Sequence, residues 1–283
     1  MRLRHLLLTC TALLFVSTAC GQDTATDNII RALEKEKCTV LNRSRVAICH
    51  YDYSVDGRAV EALSFAPPVN TPSPGVLMIP GYERTARDLI VLAARLAVEG
   101  FACLAVTQPG FGKSEGPADF VGPRTLKVLT AGYRKFEGEP FVDPKRMGIY
   151  GYSRGAMAAS LLVTELDDVK AAVFGAGVYD FRRAYDDSTL PGVRANMKAE
   201  TGMTADAVRL RSSILRMDRL KCPVLILHGE KDVNVPVSQA LLLRDRLTGL
   251  HKEFDIKLFP DSEHSIGPEV ATLTIEFFNR KLK

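Results

Sequence analysis

The sequence predicts an α/β protein with a doubly wound, mostly parallel sheet, an antiparallel N-terminal hairpin and a small helical insertion. Two strand-like segments are joined by Asp56-Gly57, and short, unbroken apolar runs then alternate with helical patterns. A two-residue Asp-Gly link is typical of a β-hairpin, and unbroken apolar runs are typical of parallel strands covered on both faces. We therefore expect a single domain over residues 46–283, built around one sheet.

The elements can be placed in order along the chain. The hairpin strands are expected at residues 46–55 and 58–66. The apolar runs that predict parallel strands are residues 76–79, 103–106, 147–150, 171–174 and 224–227. Residues 254–258 alternate between apolar and polar, which predicts a half-exposed strand near a sheet edge. Helical patterns cover residues 86–98, 156–163 and 272–280.

Residues 178–221 interrupt this alternation. The segment is charged, contains Pro191 and Gly192, and carries helical fragments at residues 194–198 and 205–215. It is too long for an ordinary connection, so it forms either a small cap over the site or a surface decoration.

The composition excludes several classes of protein. The 283 residues are 46% hydrophobic and 25% charged, which is ordinary for a globular protein. The net charge of +4 becomes +2 without Arg2 and Arg4, and no long basic run is present, so we expect no nucleic-acid partner. Neither an H-E-x-x-H motif nor a zinc-type Cys/His spacing occurs, so we expect no metal and no cofactor.

The first 19 residues have the pattern of an export signal. Arg2 and Arg4 precede residues 6–19, an uncharged run too short to span a membrane as a helix. Small residues then lead to Cys20 and resemble a bacterial lipobox, which predicts acylation of Cys20 and a periplasmic or membrane-anchored lipoprotein. The alternative is simple export with cleavage after Ala19. Residues 20–45 are expected to be a tether and N-terminal extension, with a polar tether at residues 23–28.

The remaining cysteines fall into two pairs. Cys38 and Cys49 lie close together in a strand-like region and can close a small disulfide loop, since export permits disulfides. Cys103 and Cys222 lie in or beside apolar runs on strands expected not to be neighbours. We expect both to be small buried core residues.

The strongest chemical signal is the G-x-S-x-G motif at residues 151–155, centred on Ser153. It follows a predicted strand and precedes a predicted helix. A serine on so sharp a turn has strained backbone angles and close neighbours, which glycines on either side relieve. The turn projects the hydroxyl from the carboxyl end of the sheet, so Ser153 is the candidate nucleophile.

A serine nucleophile needs a base, and in this chain order the histidine comes last. Three histidines follow Ser153. His228 ends an apolar strand and is expected to be structural, and His251 lies in a polar stretch and is expected to be solvated. His264 lies in the loop after the last strand, from which it can reach the carboxyl edge of the sheet. His264 is therefore the candidate base.

The acid that orients the base is expected between the serine and the histidine. Asp232 lies in the loop just beyond the strand ending at Leu227. Its rival Glu230 directly follows Gly229 and is expected to face away. Asp261 and Glu263 are closer to His264 in sequence but are expected to be solvated loop charges.

An acyl-transfer site also needs donors for the developing oxyanion. We expect the backbone N–H of Arg154 and that of Tyr82, whose phenol is a further candidate donor. The Arg154 side chain places a cation at a helix N-terminus, where it opposes the macrodipole. This unfavourable charge indicates a compensating interaction, for which there are two candidates. The side chain either pairs with a neighbouring acid such as Glu83 or Asp180, or binds an anionic group of the substrate.

Taken together, these segments resemble an α/β-hydrolase of the prolyl oligopeptidase and dienelactone hydrolase-like branch. The resemblance rests on Pro80-Gly81-Tyr82, the motif around Ser153, the loops carrying Asp232 and His264, and residues 142–148 and 211–223, and it covers residues 57–282. Pro80 stands where many members have His, and no β-propeller fits before residue 76. The resemblance implies a serine hydrolase with a Ser-His-Asp triad.

Two functional hypotheses follow. The first is an exported serine hydrolase that cleaves a carboxylic ester, a small amide or a short peptide through an acyl-enzyme. The alternative is a lipoprotein with a hydrolase fold that binds a ligand without turnover. In either case, membrane contact is expected only through the lipid anchor on Cys20.

Overall fold

The computed structural model describes residues 19–41 and 43–283. Most of the expected leader, residues 1–18, lies outside the described residues. Within them, nine strands form one sheet in the order β1-β2-β5-β7-β6-β8-β9-β10-β11. The strands of this sheet are β1 (Cys38–Val40), β2 (Ala47–His50), β5 (Ala62–Ala66), β6 (Ser73–Ile79), β7 (Ala102–Val106), β8 (Val142–Tyr152), β9 (Val169–Gly175), β10 (Val224–Gly229) and β11 (Phe254–Phe259). The six strands from β6 to β11 run parallel, as their apolar runs predict.

The predicted N-terminal hairpin is present, but each of its arms is divided into two strands. β3 (Tyr53–Val55) and β4 (Arg58–Val60) form a separate two-stranded sheet beside the turn. Asp56 and Gly57 both have positive φ values, of 52° and 76°, as a tight Asp-Gly turn requires. Below the turn, β2 and β5 pair antiparallel within the large sheet.

Helices cover both faces of the large sheet. The helices outside the insertion are α1 (Ala19–Lys35), α2 (Ile90–Val98), α3 (Pro123–Glu137), α4 (Arg154–Leu162), α8 (Ser238–Gly249) and α9 (Glu269–Leu282). Buried residues of α3, α4 and α8 share one hydrophobic core, and those of α1, α2 and α9 share the core on the opposite face. Strand side chains alternate between these cores, which explains why the central strands are apolar throughout.

Residues 23–28, the expected polar tether, are helical and belong to α1. The helix carries Ile29, Ile30 and Leu33 at helical spacing, and these side chains pack against the sheet. Nε2 of His50 lies 3.0 Å from the carbonyl oxygen of Leu33 and adds a polar contact. The polar residues before Ile29 obscure this short apolar stripe in the sequence.

The two cysteine pairs behave differently, as expected from their surroundings. Cys38 and Cys49 face each other in the β1–β2 pair and form a disulfide. Cys103 and Cys222 are buried free thiols.

Residues 178–221 fold into α5 (Phe181–Asp187), α6 (Pro191–Thr201), α7 (Ala205–Arg211) and a 3₁₀ helix (Ser213–Arg219). Thr204 caps α7 and Asp180 caps α5, each accepting a hydrogen bond from a backbone N–H of the first turn. None of the helices described, here or elsewhere in residues 19–41 and 43–283, is both long and apolar enough to cross a bilayer.

Candidate active site

Ser153 occupies a strained turn between β8 and α4. Its φ of 54° and ψ of −121° place it in a backbone region that L-residues rarely adopt. A Cβ on Gly151 would collide with the backbone of Gly155, and one on Gly155 would collide with the carbonyl of Ile79. The two glycines therefore allow the close approach of strand and helix that holds Ser153 at the apex.

Three loops bring the predicted catalytic side chains together at the carboxyl edge of the sheet. Asp232 follows β10, His264 follows β11, and Ser153 follows β8. Nε2 of His264 lies 2.9 Å from Oγ of Ser153, and Nδ1 of His264 lies 2.7 Å from Oδ2 of Asp232. Parallel strands end at the same edge, so residues 111 positions apart in the chain meet within hydrogen-bond distance.

The carboxylate of Asp232 is held on both oxygens. Oδ1 accepts hydrogen bonds from the backbone N–H groups of Asn234 and Val235, at 2.9 and 2.8 Å. Oδ2 faces His264 and also lies 3.4 Å from Nε2 of the buried His228. Burial alone would raise the pKa of Asp232, but the hydrogen bonds from His228, His264 and Val235 outweigh it and lower the pKa to about 2.

The lowered pKa of Asp232 fixes its charge and the sign of its effect on stability. The carboxylate is ionised at neutral pH and can hold the imidazole of His264 in one tautomer. Its stabilising contribution is complete above the ordinary pKa of an aspartic acid, about 3.9, and is lost as the pH falls through about 2.

The rival residues lie where the sequence analysis expected them. His228 is fully buried, with Nε2 2.8 Å from the carbonyl oxygen of Val235. His251 and Glu230 are exposed. Asp261 and Glu263 are exposed as well, and Asp261 pairs with Lys231 at 2.7 Å.

The geometry around the two expected oxyanion donors is compatible with that role. Arg154 is the first residue of α4, and the first N–H groups of a helix have no acceptor within it. The loop after β6 passes directly over the serine, because a Cβ on Gly81 would lie 3.3 Å from Cβ of Ser153. Tyr82 is the next residue of that loop. Its phenol accepts a hydrogen bond from Asn196 Nδ2 at 3.0 Å.

The Arg154 side chain forms an ion pair, but with neither of the acids that were expected. Glu83 is exposed, and Asp180 caps α5. Glu200 of helix α6 instead makes two contacts with the guanidinium, Oε1 to Nη2 at 2.8 Å and Oε2 to Nη1 at 3.2 Å. The pairing is buried, since the two side chains are 4% and 16% exposed. It ties the inserted segment to the first residue after the nucleophile.

Three aromatic rings surround this guanidinium. Its central carbon lies 3.9 Å from the ring centre of Phe120, 4.7 Å from that of Tyr82 and 5.4 Å from that of Phe111. Cation–π attraction adds to the ion pair when the cation is desolvated. The Tyr82 loop, the Phe120 loop and the inserted segment therefore converge on one arginine side chain.

Arg154→Met is expected to destabilise the protein. Removing one partner of a buried ion pair costs about 3–5 kcal/mol, which for a chain of this size corresponds to a melting temperature lower by roughly 6–15 °C. Activity should fall alike on anionic and neutral esters. Thermal melting and kinetics on both ester classes check this, with Arg154→Met/Glu200→Met as the matched variant that recovers part of the stability. A loss confined to anionic esters, with unchanged melting, would instead identify Arg154 as a substrate-binding residue.

The inserted segment forms a wall of the cavity above Ser153. The cavity has a volume of about 800 Å³ and is bounded by Ser153, His264 and Tyr82 at its base. Its upper wall carries apolar side chains of the insertion, among them Val178, Leu190, Val193 and Met197. Of the two alternatives for residues 178–221, the structure supports a cap.

Tyr152, the residue before the serine, has a structural role that is not predicted from the sequence. Its hydroxyl donates a hydrogen bond to the carbonyl oxygen of His264 at 2.5 Å and accepts one from the N–H of Ile266 at 3.2 Å. Burial raises the pKa of Tyr152 to about 12, so the phenol keeps its proton. The turn that carries the candidate nucleophile Ser153 thus holds the loop that carries the candidate base His264. Tyr152 occupies a variable position of the G-x-S-x-G motif, so the motif does not predict this contact.

Tyr152→Phe is expected to lower kcat about tenfold with little change in KM, because the His264 loop loses both hydrogen bonds while the ring remains. Steady-state kinetics on a neutral ester check this. Tyr133→Phe is the matched control, since the Tyr133 hydroxyl is buried without a partner among the described residues. A Tyr152→Phe enzyme with wild-type kcat would show that the loop is held by other contacts.

Comparison with known proteins gives consistent results. The model of the prolyl oligopeptidase family matches residues 121–283, more than half of the chain and including Ser153, Asp232 and His264. The uncharacterized peptidase YtmA of Bacillus subtilis is 29% identical over 180 residues, which cover 62% of this chain and 69% of the relative.

Two solved structures share the fold at low sequence identity. The acylaminoacyl peptidase of Pyrococcus horikoshii superposes with a TM-score of 0.75 at 20% identity, covering 90% of this chain and 44% of the peptidase. The acetyl xylan esterase of Paenibacillus sp. R4 superposes with a TM-score of 0.72 at 17% identity, covering 92% of this chain and 94% of the esterase. This chain thus spans less than half of the solved peptidase. Fold, nucleophile turn and family match agree: the chain belongs to the prolyl oligopeptidase family and is a serine hydrolase of the peptidase or esterase type with an α/β-hydrolase fold.

Proposed function

We propose that this protein hydrolyses a carboxylic ester, a small amide or a short peptide through an acyl-enzyme on Ser153. The observation that carries the proposal is the hydrogen-bonded chain from Ser153 through His264 to Asp232, with distances of 2.9 and 2.7 Å. A serine hydroxyl is a weak nucleophile on its own, and this arrangement supplies both a base and its orienting acid.

Acylation follows from the geometry. Ser153 Oγ attacks the carbonyl carbon of the substrate while His264 Nε2 takes the hydroxyl proton. The negative charge that develops on the carbonyl oxygen is bound by the backbone N–H groups of Arg154 and Tyr82. His264 then gives its proton to the leaving alcohol or amine as the carbonyl–leaving-group bond breaks.

Deacylation repeats these steps with water as the nucleophile. His264 takes a proton from water, the hydroxide adds to the acyl carbon, and the ester bond to Ser153 breaks as Oγ recovers the proton. The carboxylic acid leaves and the enzyme is regenerated. Asp232 keeps the imidazole oriented throughout and remains ionised.

The experiment that tests this function is a substrate screen with paired enzymes. Wild type and Ser153→Ala would be assayed against p-nitrophenyl acyl esters, amino-acid anilides and short peptides. The proposal predicts turnover of at least one class by wild type and none above background by the variant. Turnover that survives in the variant would contradict the assignment of Ser153.

We further propose that the protein is exported and anchored through acylation of Cys20. The motif before Cys20 supports this, and the Cys38–Cys49 disulfide suits an oxidising compartment. Labelled palmitate should enter the full-length protein expressed in a Gram-negative host, and Cys20→Ser should abolish incorporation. Cys10→Ser, within the leader, is the matched control that should retain the label. An unlabelled, soluble, exported wild type would leave simple secretion as the answer.

A further inference from the structure

We infer that the cavity above Ser153 accepts substrates that are uncharged next to the scissile bond and discriminates against those carrying a free α-ammonium group. The inference rests on the proposed function and names the substrate class of the same site. Two observations carry it: the cavity lining includes no acidic side chain among the described residues, and the nearby carboxylates already have partners.

No acidic side chain lines this cavity within the part of the chain that the structure describes. The titratable and charged side chains that do line it are Tyr82, Arg84, Tyr152, Arg154 and His264. None of these carries a negative charge at neutral pH, since burial raises the pKa of both tyrosines. A substrate cation therefore finds no carboxylate on the cavity wall to pair with.

The carboxylates of Glu200, Asp232 and Asp88, near the cavity wall, already have hydrogen-bond or ion-pair partners. Glu200 binds the Arg154 guanidinium with both oxygens, and Oε2 also accepts a hydrogen bond from the N–H of Phe120 at 2.7 Å. Asp232 has no exposed side-chain surface and is used by His264 and two backbone N–H groups. Asp88 pairs with Arg84 at 3.1 Å. Glu83, the residue after Tyr82, is exposed and is not among the residues that line the cavity. An ammonium group inside the cavity would therefore have to displace a partner of Glu200, Asp232 or Asp88.

The remaining wall is apolar and favours an uncharged group. Met157 of α4 and the apolar side chains Val193 and Met197 of α6 face the cavity. Moving an unpaired ammonium from water to such a wall is unfavourable, whereas an acetylated amine loses no charge solvation there. A volume of about 800 Å³ leaves ample room for an acylated amino-acid residue.

The test uses pairs of substrates that differ by one acetyl group, which removes the positive charge of the α-nitrogen, and the pH dependence of their ratio separates the effect of charge from that of size. Leucine ethyl ester and N-acetyl-leucine ethyl ester, and the corresponding p-nitroanilides, would be compared at pH 7 by kcat/KM. The acetylated member is expected to be faster by about tenfold, which corresponds to about 1.4 kcal/mol, because only about one free amine in ten is neutral at pH 7. The ratio should narrow at pH 9, because an α-amine with a pKa near 8 is then mostly neutral. Protonation of enzyme groups affects both substrates alike and therefore cancels in the ratio of their kcat/KM values.

A nearly isosteric variant tests the cause. Asn196 lines the cavity and contacts the Tyr82 hydroxyl, so Asn196→Asp places a carboxylate on the wall with little change of shape. It should shift the ratio several-fold toward the free amine, while Asn196→Ala, which loses the same contact without adding charge, should leave the ratio unchanged.

The outcomes distinguish failure of the substrate preference from failure of the hydrolase assignment. Faster turnover of the free-amine substrate by wild type, or a ratio equal at pH 7 and pH 9, would overturn this inference while leaving the hydrolase assignment intact. Absence of any Ser153-dependent turnover across all four substrates and the ester screen would overturn the proposed function and this inference with it.

Discussion

Ser153→Ala is expected to lower kcat by about 10⁴-fold or more on whichever ester the wild type cleaves, because no acyl-enzyme can form. His264→Ala should have an effect of the same size, since the serine then loses the group that takes its proton. The double variant should be little worse than either single one, because residues that act as a unit are not additive. Steady-state kinetics on the best substrate of the screen measure all three.

The controls are built into the chain. His251→Ala removes an exposed histidine from the same half of the sequence and should leave kcat unchanged. Circular dichroism and thermal melting establish that the Ser153 and His264 variants remain folded. A folded Ser153→Ala enzyme with near-normal turnover would contradict the assignment.

Asp232→Asn is expected to lower kcat by about 10⁴-fold while preserving the fold. An asparagine that keeps its oxygen on the N–H groups of Asn234 and Val235 presents its NH₂ group to Nδ1 of His264. The imidazole then carries its hydrogen on Nε2 and cannot accept a proton from Ser153. Kinetics near pH 7, where the wild-type carboxylate is fully ionised, measure the effect.

Glu230→Gln is the matched control, because Glu230 is the neighbouring exposed acid that rivals Asp232 in sequence. It should leave kcat unchanged. A large loss in Glu230→Gln together with a small one in Asp232→Asn would show that the orienting acid has been misassigned.

The sheet could be predicted because its strands are buried on both faces and read as unbroken apolar runs. The loops after β8, β10 and β11 could be placed because each candidate catalytic residue follows an apolar run directly or within a few residues. Because the carboxyl ends of parallel strands lie at the same edge of a sheet, the residues that follow them are expected to lie close together. The family match and the solved structures agree with the predicted fold class.

The inserted segment could not be predicted in the same way. The helical fragments expected at residues 194–198 and 205–215 fall within α6, α7 and the 3₁₀ helix, but such short periodic stretches do not indicate where each helix begins or ends or what it packs against. The pairing of Arg154 with Glu200 joins positions 46 residues apart across this segment. Local reasoning proposed Glu83 and Asp180 because they are adjacent to the expected loops, and it had no means of placing α6 over the nucleophile.

Helix α1 shows the opposite limitation. Its first half is polar and suggests a tether, whereas Ile29, Ile30 and Leu33 in its second half pack on the sheet. Three apolar residues are too few to produce a strong periodic signal in a window of 11–18 residues, the length that such patterns need. The packing of α1 depends on the burial of these three side chains against the sheet, which the local sequence pattern predicts only weakly.

The most direct measurement of the central claim is titration of the pure, folded protein with a fluorophosphonate, followed by mass spectrometry of the labelled peptide. Such a probe reacts with a serine that an adjacent base has activated and leaves ordinary hydroxyls unmodified. The account predicts one label per chain, carried by Ser153, with loss of ester hydrolysis in proportion to labelling and no label on Ser153→Ala. Folded wild-type protein that stays unlabelled, or that carries the label on another serine, would contradict it.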